Sequence, residues 1–243
     1  MNNSISNPLI IGLSVIVTAF VLSAGIKNRN KALDQIDVTG LGKRDFVSDL
    51  IVWTGSYTRK SMDLKTAYAQ LNDDQKKIKE YLLSKGVKDS ELVISAVEIT
   101  KEFDYHYDSE GRSTSTFSGY RLTQRVTIES NDVDRIESVS REVTELINTG
   151  VEFYSEAPQY YYTKLAELKI EMIASATEDA RIRAEKIAEN SGAKLGELKS
   201  ARMGVFQIIA QNSSEDYSWG GSFNTLAKRK TATVTMKLSF GIN

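Results

Sequence analysis

Five side chains able to ligate a metal or move a proton fall on even positions of one short stretch: Glu98, Glu102, Asp104, His106 and Asp108. In an extended strand such positions share a face, so carboxylates and an imidazole would stand in a row that a divalent cation could use. Same-face neighbours on one strand are ~7 Å apart, too far to close on one ion unless a second strand contributes. The odd positions hold Phe103, Tyr105 and Tyr107, which is how a hairpin with one solvated side reads. The solvated hairpin is therefore the preferred reading. A metal-binding or enzymatic centre on His106 is kept as a third alternative.

Little else in the chain offers chemistry. His106 is the single histidine and there is no cysteine. This excludes thiolate nucleophiles, thiol redox cycling and cysteine-ligated zinc, and leaves a Ser-His-Asp arrangement only one imidazole to use. No catalytic residue, metal or cofactor is assigned, and the chain is not expected to be an enzyme. Acidic and basic residues nearly cancel, 32 against 31, so no strong field exists to steer a polyanion and nucleic acid is not an expected partner.

Two aromatic groups read instead as contact surfaces. The segment 212–228 is polar and glycine-rich, too long for an ordinary hairpin loop, yet carries Tyr217, Trp219 and Phe223. Long loops bearing exposed aromatics are disproportionately functional, although loop tips also vary freely. The run Tyr160-Tyr161-Tyr162 fits strand residues at a subunit contact, where a ring needs one buried and one wet end. Lys228-Arg229-Lys230 reads as a solvated strand entry.

The elements that must position these residues follow from periodicity. Thr231–Phe240 alternates strictly, with Ala232, Val234, Met236, Leu238 and Phe240 on one face; Tyr120–Glu129 nearly does the same. Gln35–Gly42 and Asp45–Arg59 read as strands joined around Gly40 and Gly42. Helices are expected on the stripe Leu64, Tyr68, Leu71, Ile78 and Leu82 before Gly86, and from an Asn131 cap through Leu146. A third should run from Thr163 to about Ser191, stopped by Gly192, with Ala176, Ala180, Ala184 and Ala188 inward. The fold class is α+β, antiparallel sheets with packed helices. A β-α-β-β order occurs twice, beginning at Asp45–Arg59 and again at Val151–Tyr162.

Ahead of this body, residues 1–7 form a polar tail and 8–26 a stretch free of charge, PLIIGLSVIVTAFVLSAGI. At 1.5 Å per residue it would be roughly 28 Å long, close to a bilayer's hydrocarbon core. The tail lacks the basic residues of a cleaved signal peptide, so an uncleaved transmembrane anchor is expected, followed by a linker at 27–34 and the domain at 35–243. Lys27, Arg29 and Lys31 directly follow the span, and by the positive-inside rule would place that side in the cytoplasm.

Three stretches carry a family resemblance: IDVTGLGKRDFVSDLIVW at 36–53, ARIRAEKIAENSGAKLGELKSAR at 180–202 and ATVTMKLSFGI at 232–242. Through them the chain resembles the SIMPL domain family, which includes bacterial oxidative-stress-defence and periplasmic immunogenic proteins. It departs where many members carry proline before the aspartate, since Ser48 precedes Asp49. The resemblance implies an exported α+β domain, often assembling into rings, with no established catalytic residues, and it places the domain outside the cytoplasm, against the positive-inside rule. A membrane-anchored, extracytoplasmic homo-oligomer, ring or scaffold, is the expected function, with a role in envelope or oxidative-stress protection. The alternative is an adaptor binding another envelope protein through the 212–228 loop.

Overall fold

The computed structural model describes residues 6–31, 35–107, 111–214 and 218–242. In chain order these form α1 (Ser6–Lys31), β1 (Gln35–Val47), β2 (Leu50–Ser61), α2 (Leu64–Ser84), β3 (Leu92–Ile94), β4 (Glu98–Tyr107) and β5 (Ser113–Ser130). Then come α3 (Val133–Glu142), β6 (Phe153–Ser155), β7 (Gln159–Tyr161), α4 (Leu165–Asn190), β8 (Leu195–Met203), β9 (Gln207–Ala210), β10 (Ser222–Phe223) and β11 (Arg229–Ile242). The class is mixed α+β with four α-helices among the described residues. The chain divides into two compact units, Met1–Arg44 with Leu168–Phe206 and Thr233–Asn243, and Asp45–Glu167 with Gln207–Ala232.

In the first unit, β8 pairs antiparallel with the C-terminal part of β11, Met236 opposite Met203 and Leu238 opposite Ala201, with a bulge after Ser239. β1 is the other neighbour of β11. Val234, Met236, Leu238 and Phe240 of β11 and Ile36 and Val38 of β1 are buried, as are Leu168, Met172, Ala176, Ala180, Ala184 and Ala188 of α4. Small residues on the helix let its backbone come close to the strand. Gly40 and Gly42, expected to shape a turn, lie inside the continuous strand β1 instead. A Cβ on Gly40 would overlap the Ala176 carbonyl oxygen and sit 2.5 Å from the Ala180 nitrogen; on Gly42 it would sit 2.5 Å from the Met172 oxygen. Glycine is there because a helix backbone occupies the space a side chain needs.

The second unit is built on a sheet of order β3-β5-β2-β6, with β4 also paired to β5 and β7 to β2. The β2–β5 register runs without a break from Ile51 opposite Ser130 to Ser61 opposite Tyr120. One face carries Ile51, Trp53, Tyr57, Leu122, Val126 and Ile128 into a core closed by α2 and α3. Asp63 caps α2 by accepting from the Thr66 N–H at 2.7 Å. Asp132, rather than Asn131, caps α3, accepting from the Arg135 N–H; the Asn131 amide is committed to the Asp49 carbonyl at 2.9 Å. The stretch Val151–Tyr162 forms not one strand but two of three residues each, both paired to β2.

At the N-terminus α1 continues to Lys31, so the linker expected from residue 27 is helical that far; residues 32–34 of it lie outside the described residues. Every side chain described between residues 11 and 23 is exposed, among them Ile11, Leu13, Val15, Ile16, Phe20 and Leu22. Those residues make about 20 Å of helix at 1.5 Å each. Among the described residues no helix is long and apolar enough to cross a membrane.

Candidate functional site

In the second unit, Gln207 opens β9 with its side chain buried. Its amide nitrogen donates to the Ser218 carbonyl at 2.6 Å, and its amide oxygen accepts from the Ser218 N–H at 3.3 Å. One buried side chain thus fixes the far limb of the 211–221 connection. The chain then returns as β10, parallel to β9 with Ser222 opposite Gln207, and the Asn224 N–H donates to the Ile208 carbonyl at 2.8 Å. The Asn224 side chain accepts from the Ala227 N–H at 2.8 Å, holding the descent toward β11. From Ser218 to Ala227 the chain is thus tied back to β9 and to itself.

Between these ties Trp219 is 99% exposed, next to Gly220 and Gly221. Gly221 has φ +94°, a backbone that a side chain would strain, and its N–H donates to the Ser218 carbonyl at 3.1 Å. An indole wholly in water leaves a large apolar area unburied. Phe223 is half-exposed on β10. Tyr217 lies outside the described residues.

The tyrosine run sits beneath the same loop. Tyr160 is buried on β7, and its N–H donates to the Thr225 carbonyl at 2.7 Å. Burial, and next the nearby Glu137 carboxylate, hold its phenol above the ordinary value. Tyr161 donates from its hydroxyl to Gln159 at 2.6 Å, and Tyr162 packs against Phe46 with ring centroids 4.8 Å apart. So Tyr160 is joined to the loop by backbone bonding, while Tyr161 and Tyr162 face other contacts.

Lys228 and Lys230, read from sequence as solvated, are not. Lys228 pairs with Asp134 and, at 3.0 Å, with Glu137, and these bonds hold both carboxylates below the usual range. Lys230 is 1% exposed. Its ammonium donates to the Tyr160 carbonyl and stands 5.8 Å from the centroid of the Phe223 ring. Burial lowers its pKa to about 8. The alternation of the strand carried the signal, because 230 is in phase with the core positions 232 and 234.

The described residues of the acidic row on β4 do not converge on one point. Glu102 is committed to Lys60 at 2.6 Å and to Arg121, and those bonds keep its carboxyl low. Glu98, Asp104 and His106 are exposed along the strand, and Asp108 lies outside the described residues. Among the described residues no three His, Cys, Asp or Glu side chains stand close enough to hold a metal ion. The opposite face displays Ile99, Phe103, Tyr105 and Tyr107 to solvent, with Phe103 and Phe117 edge to face at 5.8 Å.

A polar cleft of about 560 Å³ lies at the start of α3, lined by Ser48, Asp49, Lys88, Glu91, Asp134 and Lys228 among others. Its polar groups are mostly spoken for. Asp49 accepts from the Thr163 N–H and hydroxyl at 2.7 Å each, and Glu91 accepts from Ser130 at 2.8 Å and the Lys88 N–H at 2.9 Å. The arrangement stitches elements together.

Taken as a class, this is an α+β protein whose most distinctive surface is a braced, aromatic-tipped loop. The chain belongs to the SIMPL family, described as a protein of unknown function (DUF541), whose model matches residues 36–240. The comparison with curated proteins gave no match.

Proposed function

We propose that this protein is a non-catalytic, membrane-anchored assembly protein, with its soluble part on the extracytoplasmic side, that builds a ring or scaffold from copies of itself in envelope or oxidative-stress protection. The observation that carries the reading is Trp219, wholly exposed on a loop that is braced at both ends. Bracing lowers the ordering cost of a contact, and a tryptophan tip is the kind of residue that dominates an interface. The anchor is supported by the charge-free stretch 8–26 and by α1, whose described apolar side chains find no protein core. A helix apolar all round belongs in a buried or lipid setting.

The two tryptophans make the test simple. Trp53 is buried and bonded to Ser155 at 3.0 Å, and Trp219 is in water. In the Trp53→Phe protein all indole emission reports on Trp219. It should be blue-shifted and resist iodide in the assembled protein and lose both properties when denaturant dissociates it, and Trp219→Ala should weaken assembly by about 30-fold, the scale of an interfacial hot spot. Assembly that is indifferent to Trp219→Ala would move the loop to the adaptor role, binding a different envelope protein.

A further inference from the structure

The first unit carries a basic surface on the sheet face turned away from α4. Lys237 and Arg202 are direct cross-strand partners on β11 and β8, and Ser239 and Ser200 are the next such pair. With Lys199, Asp37 and Gln35 they line a shallow depression of about 420 Å³. Its single carboxylate, Asp37, accepts from the Ser239 hydroxyl and from Gln35 at 3.4 Å. Among the described residues Arg202 and Lys237 have no carboxylate partner.

The place of this patch along the chain gives it meaning. Gln35 and Asp37 open β1, and the chain from Lys31 at the end of α1 to Gln35 can span at most about 14 Å. That is comparable with the thickness of a headgroup layer plus its first water. We infer that this surface docks on the headgroups of anionic phospholipids, holding the first unit against the bilayer into which α1 inserts. The inference rests on the anchor reading above. Lys27, Arg29 and Lys31 extend the same charge along the chain. The Arg202 guanidinium and the Lys237 ammonium are donors suited to phosphodiester oxygens, and each cation near an anionic surface strengthens docking about fivefold.

The chain has no cysteine, so Ser200→Cys gives a unique label on the exposed patch. The full chain is reconstituted into vesicles of phosphatidylcholine alone or with phosphatidylglycerol, each holding a headgroup-quencher lipid, and flotation is scored alongside quenching. The expected result is flotation with both vesicles but strong quenching only with phosphatidylglycerol. That quenching should disappear at 1 M salt, where the Debye length is about 3 Å. Arg202→Gln with Lys237→Gln should lower the docked-to-free ratio about 25-fold. Lys186→Gln on α4 should leave it unchanged, and melting curves of all variants show that the fold persists. Flotation with equal quenching in both vesicles would overturn the docking while leaving the anchor intact. Failure to float with either would overturn both. Displacement by inorganic phosphate well below the salt effect would reassign the patch to a soluble anion.

Discussion

Lys230 and Ser48 are two polar residues that the core holds at a cost. For Lys230 the ordinary pKa is 10.5 and burial brings it to about 8. Below about 8 the folded and unfolded chains both carry the proton, and the buried charge weighs fully against folding. Between the two values the folded chain has lost the proton and the unfolded chain has not, so this group makes stability rise with pH across that window. Urea unfolding should show that rise, and Lys230→Met should remove it while raising stability at neutral pH. Ser48 is buried, and its hydroxyl has no hydrogen-bond partner among the described residues, while its N–H donates to the Lys228 carbonyl at 2.9 Å. Ser48→Ala removes the unsatisfied group and keeps the backbone bond, so it should be neutral or stabilising by about 1 kcal/mol in the same unfolding experiment. Ser48→Pro would lose the donor. At this scale the sequence was half legible. Trp219 and Phe223 stood out because large apolar side chains in a polar run are anomalous by type. Gln207 did not, since only the fold brings its amide to Ser218 across the loop. The row of carboxylates on β4 had the right spacing for a shared face, but the neighbouring strand β5 sets Thr123, Thr116 and Thr114 opposite Glu98, Asp104 and His106 and gives Glu102 an arginine, not further metal ligands.

Among the elements, the helices were the more readable because their stripes are long. α2 and α4 end at glycines with positive φ, Gly86 and Gly192, where the stop signals placed them. Strand breaks were not readable. β3 and β4 are separated at Ser95, whose carbonyl accepts from Gln124 and whose hydroxyl accepts from the Arg125 N–H, and nothing local announces it. Gly40 and Gly42 were misread because a glycine that makes room for a helix looks in sequence like a glycine that makes a turn. Their role predicts a sharp cost. Gly40→Ala forces a methyl into the α4 backbone, which cannot swing aside as a side chain would, and should destabilise the chain by about 3 kcal/mol in thermal or urea unfolding. Ala at Gly150, which closes the 3-10 helix Val143–Thr149 and has nothing within 4 Å of the added Cβ, has only its positive φ of 78° to resist it, so it should cost about 1 kcal/mol.

For the whole molecule, the α+β class and the span of the family followed from alternation, stripe and motif. What the parts do together was less accessible, since contact surfaces are defined by exposure, and exposure is settled only when the chain is folded. Two surfaces are then left over: the braced loop at Trp219, and the aromatic face of β4 with Phe103, Tyr105 and Tyr107 in water. Both are costly to leave uncovered, and self-association would cover them. The most direct measurement is the mass of the full chain in detergent by light scattering, corrected for bound detergent, over a dilution series. The account predicts one discrete oligomer that persists on dilution and falls apart with Trp219→Ala. A monomer of 27.1 kDa at every concentration would contradict it.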